Sequence, residues 1–107
     1  MNRGSVVVVA LQGDYGKPRP ALVIQSNFFS ELPSVTILPI TSDLRDAPLY
    51  RINLKATVES GLNKPSQIMV DKSQTVPCEK IGQVIGYLSD EIMLSVNRAI
   101  ALFFGLA

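Results

Sequence analysis

Histidine is absent from this 107-residue sequence, and cysteine occurs once, at Cys78. The lack of histidine removes the commonest general base, the Ser–His nucleophile pair and every histidine-containing metal site. One cysteine permits neither an internal disulfide nor a zinc ribbon, and we interpret Cys78 as a plain surface or half-buried thiol. The sequence therefore predicts a protein that uses no metal and no cofactor.

Net charge and long apolar runs are also scarce. The formal net charge is +1, so a nucleic-acid site would have to be local and built from a few Arg and Lys side chains. No apolar run approaches the ~18 residues of a membrane span, and the run from Val6 to Leu11 is too short for a signal peptide. We expect a cytoplasmic protein without a membrane partner, folded as a single domain over residues 1–107.

Short β-branched runs separated by turn residues predict a mainly β fold. The first run is continuous and should be buried on both faces, whereas the fourth alternates apolar and polar residues and should be half exposed. Several short strands at close spacing favour a small antiparallel barrel. The expected strands span residues 5–11, 21–25, 35–40, 49–54 and 67–71, with a further short piece near 74–76.

The residue period changes near the C-terminus. Ser89 can cap a helix, with Asp90 and Glu91 favourably placed in its first turn, and Gly105 can end it. We expect the apolar face of this helix to pack on the barrel. That face carries Ile92, Val96, Ala99, Ile100 and Phe103.

Arg19 lies in the most informative segment, which reads Gly13-Asp14-Tyr15-Gly16-Lys17-Pro18-Arg19-Pro20-Ala21-Leu22-Val23-Ile24. Proline fixes its own φ and restricts the residue before it, so Pro18 and Pro20 hold Arg19 extended at the mouth of a strand. A cation fixed there, after a glycine-containing loop, suits an anionic ligand. The alternative is an ordinary hairpin loop with a solvated arginine.

Three polar clusters accompany the predicted strands. Together they would supply an arginine, two hydroxyls and a carboxylate, if the sheet brings them to one place. That set can hold a phosphate and move a proton without histidine. The clusters are Lys17 with Arg19, then Thr41, Ser42 and Asp43, then Ser66, Gln67, Asp71 and Lys72.

The order of several segments resembles the MazF/PemK-type toxins of type II toxin–antitoxin pairs. The resemblance spans nearly the whole chain and rests on order and spacing rather than on one motif. It begins with Arg3-Gly4 and the glycine loop that leads into Arg19-Pro20-Ala21-Leu22-Val23. It continues through Leu38-Pro39-Ile40-Thr41-Ser42, Lys64-Pro65-Ser66-Gln67-Ile68-Met69-Val70-Asp71-Lys72, Ile81-Gly82 and the C-terminal helix.

This resemblance implies an SH3-like barrel, a homodimer and metal-independent cleavage of single-stranded RNA. The attacking group would be the ribose 2′-hydroxyl, which leaves a cyclic phosphate and a 5′-hydroxyl end. Such toxins have a cognate antitoxin whose extended acidic tail covers the RNA groove. RNA supplies its own nucleophile, so the protein would need only to orient the substrate and neutralise charge at phosphorus.

Site residues follow from the same resemblance, residue by residue. Arg19 would stabilise the phosphorane or protonate the leaving oxygen, and Thr41 would contact the scissile phosphate. Asp71 matches a carboxylate that one branch of the family uses as a general base. The expected substrate-binding residues are Tyr15, Lys17, Ser42, Gln67 and Lys72.

Two departures from that branch concern Asp71. An arginine two positions before the carboxylate is replaced by Met69, and a glutamine after it by Lys72. Lys17 and Lys72 are both candidates to supply the missing charge. Whether Asp71 is a general base or a structural acceptor stays open from the sequence.

Aromatic residues offer candidate platforms for stacking RNA bases. Tyr15, in the glycine loop, is the best of them, whereas burial beneath a loop is the favoured interpretation for Phe28 and Phe29. A rival function comes from the ending Phe104-Gly105-Leu106, which resembles that of CcdB-type toxins. Those toxins share the barrel and poison DNA gyrase without cutting RNA, so gyrase is the partner under this alternative.

Overall fold

The computed structural model describes residues 1–11 and 17–107. These contain seven β-strands and one α-helix, joined in part by short 3-10 turns. The mainly β fold with a C-terminal helix is as the sequence predicts. The strands are β1 (Ser5–Ala10), β2 (Pro18–Val23), β3 (Ser34–Thr41), β4 (Arg51–Leu54), β5 (Ser66–Met69), β6 (Gln74–Pro77) and β7 (Ile81–Tyr87), and the helix α1 spans Asp90–Phe103.

All strand pairings are antiparallel, in the order β4-β5-β3-β2-β1-β7. The long strand β3 also pairs with β6 along residues 34–37, whereas it pairs with β5 only at Ile40 and Thr41. The sheet is not closed, since β4 and β7, the strands at its two ends, do not pair with each other within the described ranges. The expected barrel is therefore an open sheet.

Apolar side chains pack on both sides of β1 and β2, as the continuous β-branched run predicts. Val6 and Leu22 join a core beneath the helix, and Val7 and Ala21 join a second core on the other side. Alternate residues of a strand point to opposite faces, so a strand in the middle of two cores must be apolar throughout. Burial of a valine or leucine side chain such as Val6, Val7 or Leu22 contributes about 1.5–3 kcal/mol.

Helix α1 has the ends that the sequence predicts. The Ser89 hydroxyl accepts a hydrogen bond from the Ile92 N–H (3.2 Å), and Gly105 adopts a positive φ of 74° just after the last turn. Met93 and Val96 are buried against the sheet. No described helix is long and apolar enough to cross a membrane.

The fifth predicted strand is wrong at its C-terminal end. β5 stops at Met69, and residues Val70–Lys72 form a 3-10 turn. Strand alternation therefore does not place Asp71 on one face with Gln67 and Met69. The fourth strand is also shorter than expected and begins at Arg51.

Candidate active-site cleft

A cleft of about 610 Å³ opens beside the ends of β2 and β3. Val8, Pro20, Pro39 and Ile40 contribute to its apolar part. Seven polar residues also line it, and they come from three separate parts of the chain. They are Arg19, Thr41, Ser42, Asp43, Asn63, Lys64 and Ser66.

Arg19 is the second residue of β2, where it pairs with Val9 of β1. The extended conformation expected between Pro18 and Pro20 is confirmed. The side chain is exposed and lines the cleft, so its charge can meet a solvated anion. A guanidinium in such a place can form paired hydrogen bonds with a phosphate.

Thr41 is the last residue of β3, and its hydroxyl has a defined role in the turn that follows. Its Oγ1 accepts a hydrogen bond from the Asp43 N–H at 3.0 Å. A hydroxyl that accepts in this way still has one proton to donate. Thr41 can therefore donate to a phosphate oxygen in the cleft, and Ser42 is exposed beside it.

Gln67, an expected substrate ligand, is only 6% exposed and has its amide fully occupied. Its Nε2 donates to the Arg45 carbonyl and to Asn53 Oδ1, both at 2.9 Å. Its Oε1 accepts from the Arg45 N–H and from the Arg51 guanidinium, both at 3.0 Å. These bonds tie residues 42–50, the segment between β3 and β4, to the sheet.

Asp71 lies outside the lining of the cleft that holds Arg19 and Thr41. Its side chain is 26% exposed, and Oδ2 is 3.8 Å from the Lys72 ammonium. The other oxygen, Oδ1, is buried and has no hydrogen-bond partner among the described residues. The third polar cluster is thus divided: Ser66 lines the cleft, whereas Asp71 does not.

The remaining predicted ligands are distributed differently. Lys72 is largely exposed beside Asp71, and Lys17 is exposed just before β2. Neither lysine lines the cleft in the described part of the chain. Tyr15 lies outside the described residues.

Arg51 is a cation near the site that the sequence analysis missed. It stands directly opposite Met69 in the β4–β5 pairing, and directly opposed side chains on one face of such a pair have Cβ atoms about 4.5–5.5 Å apart. Met69 itself lines the cleft. The guanidinium of Arg51 donates to the Asp43 carbonyl and to Gln67 Oε1, both at 3.0 Å.

Asn63 and Lys64 were also missed as lining residues, although Lys64 opens one of the segments on which the family resemblance rests. A tight crossing precedes them. Gly61 has a φ of 71°, and a Cβ on Gly86 would lie 2.3 Å from the Ser60 carbonyl group. Only glycine at position 86 allows β7 to pass this close to the turn that leads into the cleft wall.

Phe28 and Phe29 are exposed, so their expected burial beneath a loop is wrong. Phe28 is 86% exposed and meets Phe29 edge to face, with ring centroids 5.1 Å apart. They belong to a 3-10 turn, Asn27–Phe29, and neither lines the cleft.

Comparison with known proteins identifies the chain's family. The model of the family described as "PemK-like, MazF-like toxin of type II toxin-antitoxin system" matches residues 2–104. The chain belongs to this family. The resemblance noted in the sequence is therefore confirmed.

Individual relatives agree with this assignment. The chain is 41% identical over 108 residues to a Mycolicibacterium smegmatis protein named "Probable endoribonuclease MazF", with 100% of this chain and 99% of that relative covered. It is 31% identical to the solved Mycobacterium tuberculosis toxin MazF-mt6, with a TM-score of 0.83 over 96% of this chain and 98% of that one.

A third similarity concerns the fold alone. An endoribonuclease from a mycobacterial species, solved with its cognate antitoxin, is 20% identical and has a TM-score of 0.85. The match covers 100% of this chain and 97% of that one. The family model and the 41% identical relative favour the ribonuclease class and lend no support to the gyrase alternative.

Proposed function

We propose that this toxin is a cytoplasmic endoribonuclease that cleaves single-stranded RNA at short sequences and thereby stops translation and growth. The observation that carries the proposal is the presence of Arg19 and Thr41 in one cleft, at the ends of neighbouring strands. Relatives that are named endoribonucleases support the reaction class.

In the proposed reaction, the ribose 2′-oxygen attacks the adjacent phosphorus and the 5′-oxygen leaves. The 2′-oxygen gives its proton to Asp71 or to solvent water, the 5′-oxygen takes one from Arg19 or from solvent water, and the products are a cyclic phosphate and a 5′-hydroxyl end. Arg19 neutralises charge that develops on the phosphorane, and Thr41 donates a hydrogen bond to a non-bridging oxygen. Hydrogen-bond donors that are already placed where negative charge develops stabilise the transition state and so raise the rate.

Asp71 keeps a candidate role as the base that receives the 2′-hydroxyl proton, as the family resemblance implies. Its position outside the cleft lining gives this role less support than the roles of Arg19 and Thr41. Catalytic contacts can tighten when substrate binds, so Asp71 can still approach the 2′-hydroxyl in the RNA complex. Lys17, Ser42 and Lys72 stay proposed RNA ligands, and Tyr15 a proposed stacking residue.

Purified protein incubated with a long single-stranded RNA in EDTA tests this function. We expect cleavage at short defined sequences and 5′-hydroxyl ends. An oligonucleotide with 2′-deoxyribose at the scissile position is the matched control, and it should resist because it lacks the nucleophile. Cleavage of the deoxy substrate, or a strict requirement for Mg²⁺, would refute the mechanism.

Partners follow from membership of a toxin–antitoxin family. We propose a homodimer, because one small domain offers little concave surface and a two-fold dimer doubles it with self-complementary contacts. We also propose a cognate antitoxin whose extended acidic tail lies over the cleft. A disordered tail that folds on binding can wrap such a surface.

A further inference from the structure

We propose that Arg51 and Gln67 act as positioning residues that orient the Thr41 hydroxyl through the backbone of Asp43. This inference rests on the proposed function, since it concerns the group that would contact the scissile phosphate. We call Arg51 and Gln67 together the clamp.

A single peptide segment connects the clamp to Thr41. The Asp43 N–H donates to Thr41 Oγ1 at 3.0 Å, and the Asp43 carbonyl accepts from Arg51 at 3.0 Å. Both backbone polar groups of Asp43 are therefore committed, one to the hydroxyl and one to the guanidinium. Movement of the Asp43 backbone would move the hydrogen bond that sets the hydroxyl's orientation.

The Arg51 guanidinium is itself held in place. The nitrogen of Arg51 that reaches Asp43 also donates to Gln67 Oε1 at 3.0 Å. Gln67 is buried and makes all four hydrogen bonds that its amide permits. A buried amide with every group satisfied is confined to one orientation, because any rotation leaves a polar atom unpaired.

The clamp joins the paired strands β4 and β5 to a segment that lies outside the sheet. Arg51 and Gln67 belong to β4 and β5, which pair with each other over four residue pairs. The segment 42–50, which carries Ser42 and Asp43, lies outside the strands of the sheet. The clamp therefore transfers the rigidity of the β4–β5 pair to the turn at the cleft.

The orientation of the Thr41 hydroxyl matters for the rate of the reaction. Thr41 Oγ1 has one proton, and the bond accepted from Asp43 restricts the directions in which that proton can point. A donor fixed before the reaction begins costs no reorganisation in the transition state. Loss of the clamp should therefore lower kcat more than it raises KM.

A double-mutant cycle between Arg51 and Thr41 tests this coupling. The wild type, Arg51→Met, Thr41→Val and the double variant are compared over a range of single-stranded RNA concentrations that reaches saturation. We expect Arg51→Met to lower kcat roughly 10-fold or more, with KM changed less than about 3-fold, since small misplacement of reacting groups has effects of this size. In the Thr41→Val background, the same change should cost less than about 2-fold. Equal losses in both backgrounds would overturn the proposal.

Arg45→Met is the matched control for charge. Arg45 lies on the same segment, but its side chain is 67% exposed and pairs only with the Asp43 carboxylate at 3.3 Å among the described residues. The Arg45→Met substitution removes one cation near the cleft and leaves the hydrogen bonds of the Asp43 backbone in place. We expect kcat to be unchanged. A loss equal to that of Arg51→Met would show that charge, rather than orientation, explains the effect.

Amide hydrogen exchange in the absence of RNA separates the clamp from the proposed function. The Asp43 N–H should exchange faster in Arg51→Met than in the wild type, whereas unchanged exchange refutes the clamp. A wild-type protein that cleaves no RNA would refute the function, and the exchange result would still decide the clamp. If Arg51→Met shows no folding transition, Arg51→Lys replaces it in both measurements, because lysine keeps the charge but lacks the planar fork.

Discussion

The Thr41 hydroxyl accepts a hydrogen bond from the backbone N–H of Asp43, two residues further along the chain, with 3.0 Å between nitrogen and oxygen. This bond commits the oxygen to the turn and leaves the proton for a ligand in the cleft. Arg19, which lines the same cleft from β2, brings a full positive charge. The two donors therefore differ in strength, and their removal should have different consequences.

Arg19→Ala should cost at least ~10²-fold in the rate of RNA cleavage, the scale observed when one transition-state donor is removed. Thr41→Val should cost less, because a neutral hydroxyl forms a weaker hydrogen bond than a cation. Both rates are measured at saturating RNA. Thermal melting is the control, and Arg19→Ala should melt as the wild type does because the side chain is exposed. Near-normal cleavage by Arg19→Ala would show that the assigned site is wrong.

Asp71→Asn keeps the shape of the side chain and removes its basicity. A general base predicts lost cleavage with retained RNA binding, whereas a structural acceptor predicts retained cleavage. We expect the second result, because Asp71 lies outside the cleft lining and one of its oxygens is buried. Cleavage rate and RNA affinity are measured on the same preparation. A large loss of cleavage at unchanged affinity would establish Asp71 as the base.

Some features of the site could be predicted from local sequence and others could not. The extended Arg19 follows from its two proline neighbours, and the ends of α1 follow from Ser89 and Gly105, because each depends on adjacent residues. The buried amide of Gln67 depends on contacts with residues 14 and 22 positions away. Such contacts are set by strand register, which a short pattern does not specify.

The same limit explains the error at Asp71 and the oversight of Arg51. A run of alternating residues predicts continued alternation, but β5 ends at Met69 and the next residues turn. Arg51 lies in the fourth predicted strand, whose alternating pattern indicates only that one face is exposed. Only the pairing of β4 with β5 places it opposite Met69, where the family pattern that the sequence resembles has its arginine.

Gly86→Ala should destabilise the protein and disturb the cleft wall. An added Cβ would lie 2.3 Å from the Ser60 carbonyl group, in the turn just before Leu62 and Asn63. We expect a loss of about 1–3 kcal/mol in the free energy of unfolding, the usual cost of overpacking, and weaker RNA binding. Chemical denaturation and RNA titration measure the two effects.

Gly82→Ala is the matched control, since Gly82 lies on the same strand. Among the described residues, its added Cβ would meet only the Val8 carbonyl, at 3.3 Å. We expect a smaller change in stability than Gly86→Ala gives, and unchanged RNA affinity. Equal destabilisation by the two substitutions would show that the crossing at Ser60 is not the special constraint.

Assembly and inhibition give the last prediction. The chain should be a homodimer at micromolar concentration, which light scattering measures directly. A monomeric mass would contradict the proposed dimer.

RNA and the acidic antitoxin tail should compete, because both would place negative charge against Arg19 and its surroundings. A labelled, uncleavable deoxy-substituted RNA should therefore be displaced by antitoxin, and Arg19→Ala should weaken the binding of both. An antitoxin that binds the RNA-loaded toxin with undiminished affinity would contradict the shared site. If the toxin instead captures DNA gyrase, and removal of residues 104–107 abolishes toxicity while Arg19→Ala does not, the gyrase alternative is correct.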